Sequence, residues 1–215
     1  MSRSLTLALK RVLDIAAGTS GLVLLFPFFL LIAVAIKRGS RGPVFYVQER
    51  IGMRGRCFRM RKFRTMVEGA EEIGAGLYVE EDDPRITPVG KFLRRFSLDE
   101  LPQLLHVVTG EMSLVGPRPA LSYHVESYTE EQSRRLLMRP GMTGLSQVSG
   151  RNLLSWPERI EKDLWYVDHY SLLLDAHILL RTPGVWLSGD GLYGERKKFF
   201  LAGHDDIPVP SRRNS

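Results

Sequence analysis

A chain of 215 residues holds one substantial core, or a core with an appendage, and its single cysteine, Cys57, excludes any internal disulfide. The net charge is +6 and unevenly spread: Lys37 to Arg64 carries ten basic residues against Glu49 alone, while Glu68 to Asp83 carries seven acidic residues and no basic one. So concentrated a basic block has substrate phosphates, anionic lipid headgroups or nucleic acid to meet. No nucleic-acid motif is present, and such a binder has no need of the long apolar run that precedes the block.

Ser2 to Asp14 places Leu5, Leu9 and Val12 on one helical face, which predicts an amphipathic lead-in. Ile15 to Ile36 follows, 22 residues without a charge. As a helix this run is about 33 Å long, against a hydrocarbon core of roughly 30 Å. Pro27 divides it into arms of about 18 Å and 14 Å, each too short to cross. Arg3, Lys10 and Arg11 flank one end, and Lys37, Arg38 and Arg41 the other, which keeps both ends on one side of a membrane. A re-entrant, Pro-kinked helix is therefore preferred to a spanning one. Ala33 to Ala35 looks like a signal cleavage site, but the run is too long for a signal peptide and has proline at its centre.

Val44, Tyr46, Phe58 and Met60 then suggest two short strands turning at Gly52 and Gly55. Most arginines of this hairpin suit solvent or headgroups. Val67 to Asp83 reads as a short helix and an exposed, solvated acidic loop, and Val89 to Phe96 as a helix. In SLDELPQLLHVVTGEMSLVGPRP, Ser97 to Pro119, helical spacing begins at Leu101 and places Asp99 and Glu100 where a helix starts. With Asp99 at the N-cap, Pro102 is harmless and the carboxylate stays ionised, ready to attack or to bind a metal. Gly116, Pro117 and Pro119 stiffen the chain around Arg118, a residue shaped to grip phosphate. Tyr123 to Met138 reads as a polar helix, RPGMTGLSQVSGRN as a glycine-rich loop able to approach a ligand, and Trp156 onward as two helices. Ile160, Leu164 and Val167 share a face of the first, and Leu172 to Leu187 is apolar enough to lie on a membrane surface. From Gly189 the chain reads as a loosely held tail.

SLDELPQL and MSLVGPRP together resemble the bacterial sugar transferase family, the monotopic polyprenol-phosphate phosphoglycosyl transferases. The resemblance extends over residues 8–188 and implies a minimal member without the extra membrane helices of larger relatives. It implies a mainly helical α+β monotopic membrane protein, with a re-entrant helix in 1–40, a catalytic domain in 41–188 on the cytoplasmic face of the bacterial inner membrane, and a tail in 189–215. The implied reaction moves a sugar-1-phosphate from a UDP-sugar to undecaprenyl phosphate, releasing UMP and opening the synthesis of a surface glycan. Residue by residue, the resemblance assigns catalysis to Asp99 and Glu100, with Mg²⁺ at the same pair. It assigns phosphate contacts to Lys62, Arg64, Arg94, Arg118 and Arg151, and supporting acidic positions to Asp163 and Asp175. For these two aspartates, pairing with nearby arginines is the structural alternative, and for Arg151 a structural ion pair. Lys10, Arg11 and Asp14 match a boundary cluster with a structural role. Relatives can form homodimers.

Two positions depart from the family: Phe26 stands where a serine often precedes the kink proline, and His106 where asparagine is usual. Phenylalanine cannot hydrogen-bond to the kink, and His106 is expected to alter packing or metal-site polarity rather than to ligate. A competing reading is a non-catalytic peripheral membrane protein that binds anionic lipid or a partner. It explains the apolar run and the charge, but not SLDELP or GPRP.

Overall fold

The computed structural model describes residues 3–73 and 79–194. Helix α1 (Arg3–Gly39) is a single element of 37 residues with Pro27 inside it, so lead-in and apolar run are continuous. One stripe of α1, at spacings of three and four, faces the protein: Lys10, Asp14, Gly18 and Ile36 are buried, and Leu22, Leu25, Phe29 and Ile32 pack on core clusters. The opposite face exposes Leu5, Leu9, Val12, Val23, Leu24, Phe28 and Leu31. The lead-in is thus turned the other way from a water-soluble amphipathic helix. Leu5, Leu9 and Leu13 point out, while Lys10 and Asp14 point in.

Strands β1 (Phe45–Ile51) and β2 (Cys57–Phe63) form the expected antiparallel hairpin, with Phe45 opposite Phe63 and Ile51 opposite Cys57. Arg54 (φ 58°) and Gly55 (φ 77°) supply the left-handed residues of its turn. Alternation along β2 sends Phe58 and Met60 into the core and puts Lys62 on the same side. In the acidic segment that follows, Tyr46 donates to Glu71, and buried Asp83 pairs with Arg85 at 2.6 Å. These two carboxylates are therefore not part of the solvated surface the sequence suggests, whereas Glu68, Glu72, Glu80, Glu81 and Asp82 are exposed as expected; residues 74–78 of the loop lie outside the described residues.

Helix α2 (Pro88–Arg95) starts at Thr87, whose hydroxyl accepts from the Gly90 N–H at 2.9 Å. A 3-10 segment, Leu98–Gln103, leads into α3 (Leu104–Thr109) and then β3 (Ser113–Val115). The single helix expected over Tyr123 to Met138 is instead α4 (Ser122–Glu126), α5 (Glu130–Ser133) and a 3-10 turn, because Thr129 and Gln132 form a reciprocal capping box that restarts the chain. The glycine-rich segment is not a loop either. It forms β4 (Gly141–Thr143), parallel to β3, and α6 (Leu145–Val148). Helices α7 (Trp156–Asp168) and α8 (Leu172–Ser188) complete the fold. On α8, Leu173, Leu180 and Leu187 make an exposed stripe with a spacing of seven.

Three apolar clusters form the core, and α1 reaches all of them. Leu7 packs on the cluster of Val115, Tyr166 and Ile178; Leu22 and Leu25 pack on Phe58, Leu104 and Val107; Phe29 and Ile32 pack on Phe63 and Leu93. Gly18 and Gly21 bring α1 close to α3, since a Cβ at either would lie 3.1 Å from Val108 or Leu104. Beyond α8, residues 189–194 are tied down, since the Asn152 amide and side chain donate to Gly191 O (3.1 Å) and Leu192 O (2.7 Å); the rest of the expected tail, 195–215, lies outside the described residues.

Candidate active site

Between α2 and the 3-10 segment, Ser97 is buried and takes a left-handed backbone (φ 54°). Ser97, not Asp99, precedes the turn, and its side chain caps nothing, so Asp99 and Glu100 lie in the first turn. The left-handed residue swings this turn toward β2, where a cavity of about 110 Å³ is lined by Lys62, Arg94, Ser97, Asp99, Glu100, Arg118, Arg151 and Arg159, with Ser146, Gln147, Asn152 and Leu192 completing the wall. A strand, the end of α2, two 3-10 turns, the GPRP loop and α7 thus each contribute a charged group. Lys62, Arg94, Arg118 and Arg151 converge here from across 90 residues of sequence.

Glu100 Oε1 accepts from Lys62 Nζ at 2.7 Å and from Arg118 Nη2 at 3.0 Å. Burial opposes its charge, but these two cations outweigh that and hold the carboxyl far below the usual range. Asp99 behaves oppositely. Burial pushes its carboxyl up, only partly countered by Lys62 and reinforced by the Glu100 charge, so the expectation of a helix end that secures its ionisation is corrected. Arg151 donates to Ser97 Oγ at 3.1 Å and is itself left-handed (φ 53°), so two strained residues hold each other at the cavity wall. Arg94 Nε and Arg151 Nη1 are buried without a hydrogen-bond partner. Those are donors ready for a ligand.

Arg159 was missed by sequence reasoning. It lies on the buried face of α7, donates from Nε to Leu154 O at 2.9 Å and rests on the Trp156 ring, and burial followed by Arg118 pulls its pKa down to about 10. The signal was an arginine between Trp156 and Ile160 on one helical stripe, four residues before Asp163.

Three sequence candidates lie elsewhere. Arg64, just past the end of β2, donates to the carbonyls of Ser40 and Arg41 and ties down the end of α1. Asp163 is buried against Arg135 and accepts from Ser146 Oγ at 2.8 Å; Arg135 also donates to Arg118 O at 3.0 Å, so the pair fixes the backbone of the GPRP segment from behind. Asp175 sits on the α1 side, bonded to Lys10 (2.6 Å) and Tyr166 (2.6 Å). The glycines also serve a different purpose from ligand approach. A Cβ on Gly116 would strike the Arg139 carbonyl, and one on Gly144 the Gly116 carbonyl, so these residues let β3 and β4 bring two backbones together.

Among the described residues no group of three or more His, Cys, Asp or Glu side chains forms a metal cage. Lys62 and Arg118 both bond Glu100 Oε1, which leaves Oε2 and the Asp99 carboxylate as donors. Two carboxylates fit Mg²⁺, a cation that keeps water and takes substrate phosphate oxygens for its other positions.

The sequence profile of the bacterial sugar transferases matches residues 5–189. The chain belongs to this family. It is 43% identical over 199 residues to a UDP-galactose-lipid carrier transferase of Erwinia amylovora, an alignment covering 86% of this chain and 42% of that protein. Likewise it is 40% identical over 199 residues to an undecaprenyl-phosphate galactose phosphotransferase of Salmonella typhimurium, again 86% and 42%. With the uncharacterized sugar transferase EpsL of Bacillus subtilis it shares 43% identity over 190 residues, 86% of this chain and 90% of the relative. The chain therefore spans about two fifths of the longer relatives, and its cavity residues, Leu192 excepted, lie inside the matched region.

Proposed function

We propose that this protein is a phosphoglycosyl transferase that moves a sugar-1-phosphate from a UDP-sugar to undecaprenyl phosphate at the cytoplasmic face of the bacterial inner membrane, as the first step of exopolysaccharide synthesis. One observation carries the reading: five cationic side chains, Lys62, Arg94, Arg118, Arg151 and Arg159, surround the Asp99–Glu100 pair in one cavity. A carboxylate cannot approach a phosphorus ringed by negative oxygens until that charge is neutralised, and an excess of fixed cations does this without reorganisation. Relatives named for UDP-galactose and for undecaprenyl phosphate supply the donor and acceptor classes.

Asp99 is the nucleophile. Its oxygen bonds to the phosphorus that carries the sugar, the bond from that phosphorus to UMP breaks, and UMP leaves; an oxygen of the lipid phosphate then attacks the same phosphorus and frees Asp99. Glu100 anchors Lys62 and Arg118 beside the reacting phosphate. Mg²⁺ held by Asp99 and Glu100 would neutralise further phosphate charge.

Membrane placement follows α1, the one helix among the described residues long and apolar enough to cross a bilayer. Both arms of α1 touch the folded domain: Lys10 meets Asp175 at one end, and Phe29 meets Phe63 at the other. A spanning helix would carry one arm out of reach. The re-entrant, monotopic arrangement keeps the outward apolar face of α1 in the lipid while the cavity stays at the headgroup layer, where the acceptor phosphate lies.

The test is UMP release by the full chain in detergent or nanodiscs, with a panel of UDP-sugars, undecaprenyl phosphate and Mg²⁺. Release that stops with Asp99→Asn, together with a phosphosugar adduct on Asp99 when acceptor is withheld, is the expected result. Release without an adduct under single-turnover conditions overturns the covalent step. No release from any donor overturns the enzymatic reading.

A further inference from the structure

His106 is more than filling. Its ring is almost fully buried, edge-on to Phe58, on the helix that follows the Asp99–Glu100 turn. Nε2 accepts the backbone N–H of Arg61 at 3.1 Å, and Nδ1 lies 2.6 Å from Glu111 Oε2, which also accepts from Thr109 Oγ1 at 3.1 Å. The Arg61 amide can only donate, so Nε2 carries no proton and Nδ1–H donates to Glu111; one tautomer satisfies both contacts. Arg61 is on β2, which among the described residues pairs only with β1, so its N–H points off the open edge of the hairpin and the imidazole takes the place of a third strand. The next residue is Lys62, whose ammonium bonds Glu100.

We infer that His106 is a positioning residue: a donor-and-acceptor strut from Glu111 to the edge of β2 that fixes Lys62 against Glu100. The strut connects the two segments that build the cavity floor, the hairpin and the α3 turn. Without it the edge amide has no acceptor and β2 shifts relative to α3. A misplacement of about 1 Å at a charge that meets the phosphoryl group costs on the order of tenfold to a hundredfold in turnover. Donor affinity holds, because Arg94, Arg118, Arg151 and Arg159 remain in place.

The inference rests on the phosphotransfer reading only for what Lys62 does, and its test has a readout that needs no turnover. Hydrogen–deuterium exchange of the β2 peptide spanning Arg61 is compared in the full-length wild type, His106→Leu and His106→Gln. Leucine fills space without either contact, whereas glutamine carries an acceptor the same number of bonds from Cα as Nε2, and a donor beside it. Expected for His106→Leu is exchange at least tenfold faster and kcat at least tenfold lower, with donor KM within threefold. His106→Gln stays within threefold of wild type on all three. Ile178→Val, a loss of one methylene in a separate core cluster, lowers thermal stability and leaves kcat unchanged. Should His106→Leu fail to fold, Glu111→Ala carries the comparison, because that side chain is 42% exposed and its loss frees the ring to turn. Equal exchange in wild type and variant overturns the strut, as do faster exchange with unchanged kcat and an equal loss in the glutamine variant. If wild type releases UMP from no donor, the phosphotransfer reading fails while the exchange result still decides the strut.

Discussion

Two buried polar clusters, one under α1 and one in the cavity, are built differently. Under α1, every oxygen of Asp14 and Asp175 has a donor: Ser113 Oγ and the Leu114 N–H for Asp14, Lys10 and Tyr166 for Asp175. In the cavity, five cations face two carboxylates, both Lys62 and Arg118 crowd one oxygen of Glu100, and Arg94 Nε and Arg151 Nη1 have no partner. A cluster whose carboxylate oxygens are all satisfied holds structure together. One with surplus donors of a single sign is unfinished until an anion arrives, and a diphosphate is such an anion.

The largest effect expected from this contrast is at Asp99. Asp99→Asn lowers UMP release by at least about a thousandfold, since the amide cannot attack phosphorus. Stability moves the other way. Asp99 has its pKa raised by burial, so its ionised form at neutral pH works against folding, and the neutral amide leaves Tm unchanged or higher. A melt that drops by many degrees would count against the cavity being the strained half of the pair.

Asp175→Ala inverts the pattern. Lys10 and Tyr166 lose their acceptor in a buried place, which costs about 3–5 kcal/mol. In a chain of this size that is a fall in Tm of about 6–20 °C. Turnover per folded molecule stays within about twofold, because nothing in the cavity touches Asp175; a fall in kcat of more than tenfold at constant Tm would place Asp175 in the chemistry after all.

The acid limb of the pH profile sharpens the contrast within the dyad. On the proposed mechanism only ionised Asp99 attacks, so kcat/KM falls as pH drops through its raised pKa, and the limb lies above about 4, the ordinary aspartate value. Glu100, held far lower by Lys62 and Arg118, contributes no limb in that range. A single limb at or below 4 would mean that Asp99 is not the raised group.

Much of this arrangement was legible before any coordinates. The period of 3.6 marked α7, apolar composition marked α8, Val44, Tyr46, Phe58 and Met60 marked the hairpin, and Pro27 with its basic flanks marked α1 as unusual. What stayed hidden has a common cause: sequence spacing shows which residues share a face but not what that face meets. Lys10 and Asp14 read as a boundary cluster with a structural role, but their spacing did not show that they turn inward, nor that Lys10 meets Asp175, 161 residues beyond Asp14. Gly141 and Gly144 read as a ligand loop and Gly116 as a stiffener beside Arg118, yet all three serve the close approach of β3 and β4. Arg159 was hidden by its neighbours, since Trp156 and Ile160 made the stripe look purely apolar.

Arg64 gives the smallest effect and the cleanest separation, because it stands two residues from Lys62 and carries the same charge. Lys62 ends on Glu100, whereas Arg64 ends on the carbonyls of Ser40 and Arg41, where α1 leaves its last turn. A helix C-terminus presents unpaired carbonyls, and a guanidinium with two nitrogens in one plane can take two of them at once. Arg64→Lys keeps the charge but reaches only one, so Tm falls by a few degrees while kcat stays within about threefold. If Arg64 instead grips donor phosphate, the same substitution raises donor KM tenfold or more with Tm unchanged. Measuring both quantities on one variant therefore decides whether KFRTM carries one functional cation or two.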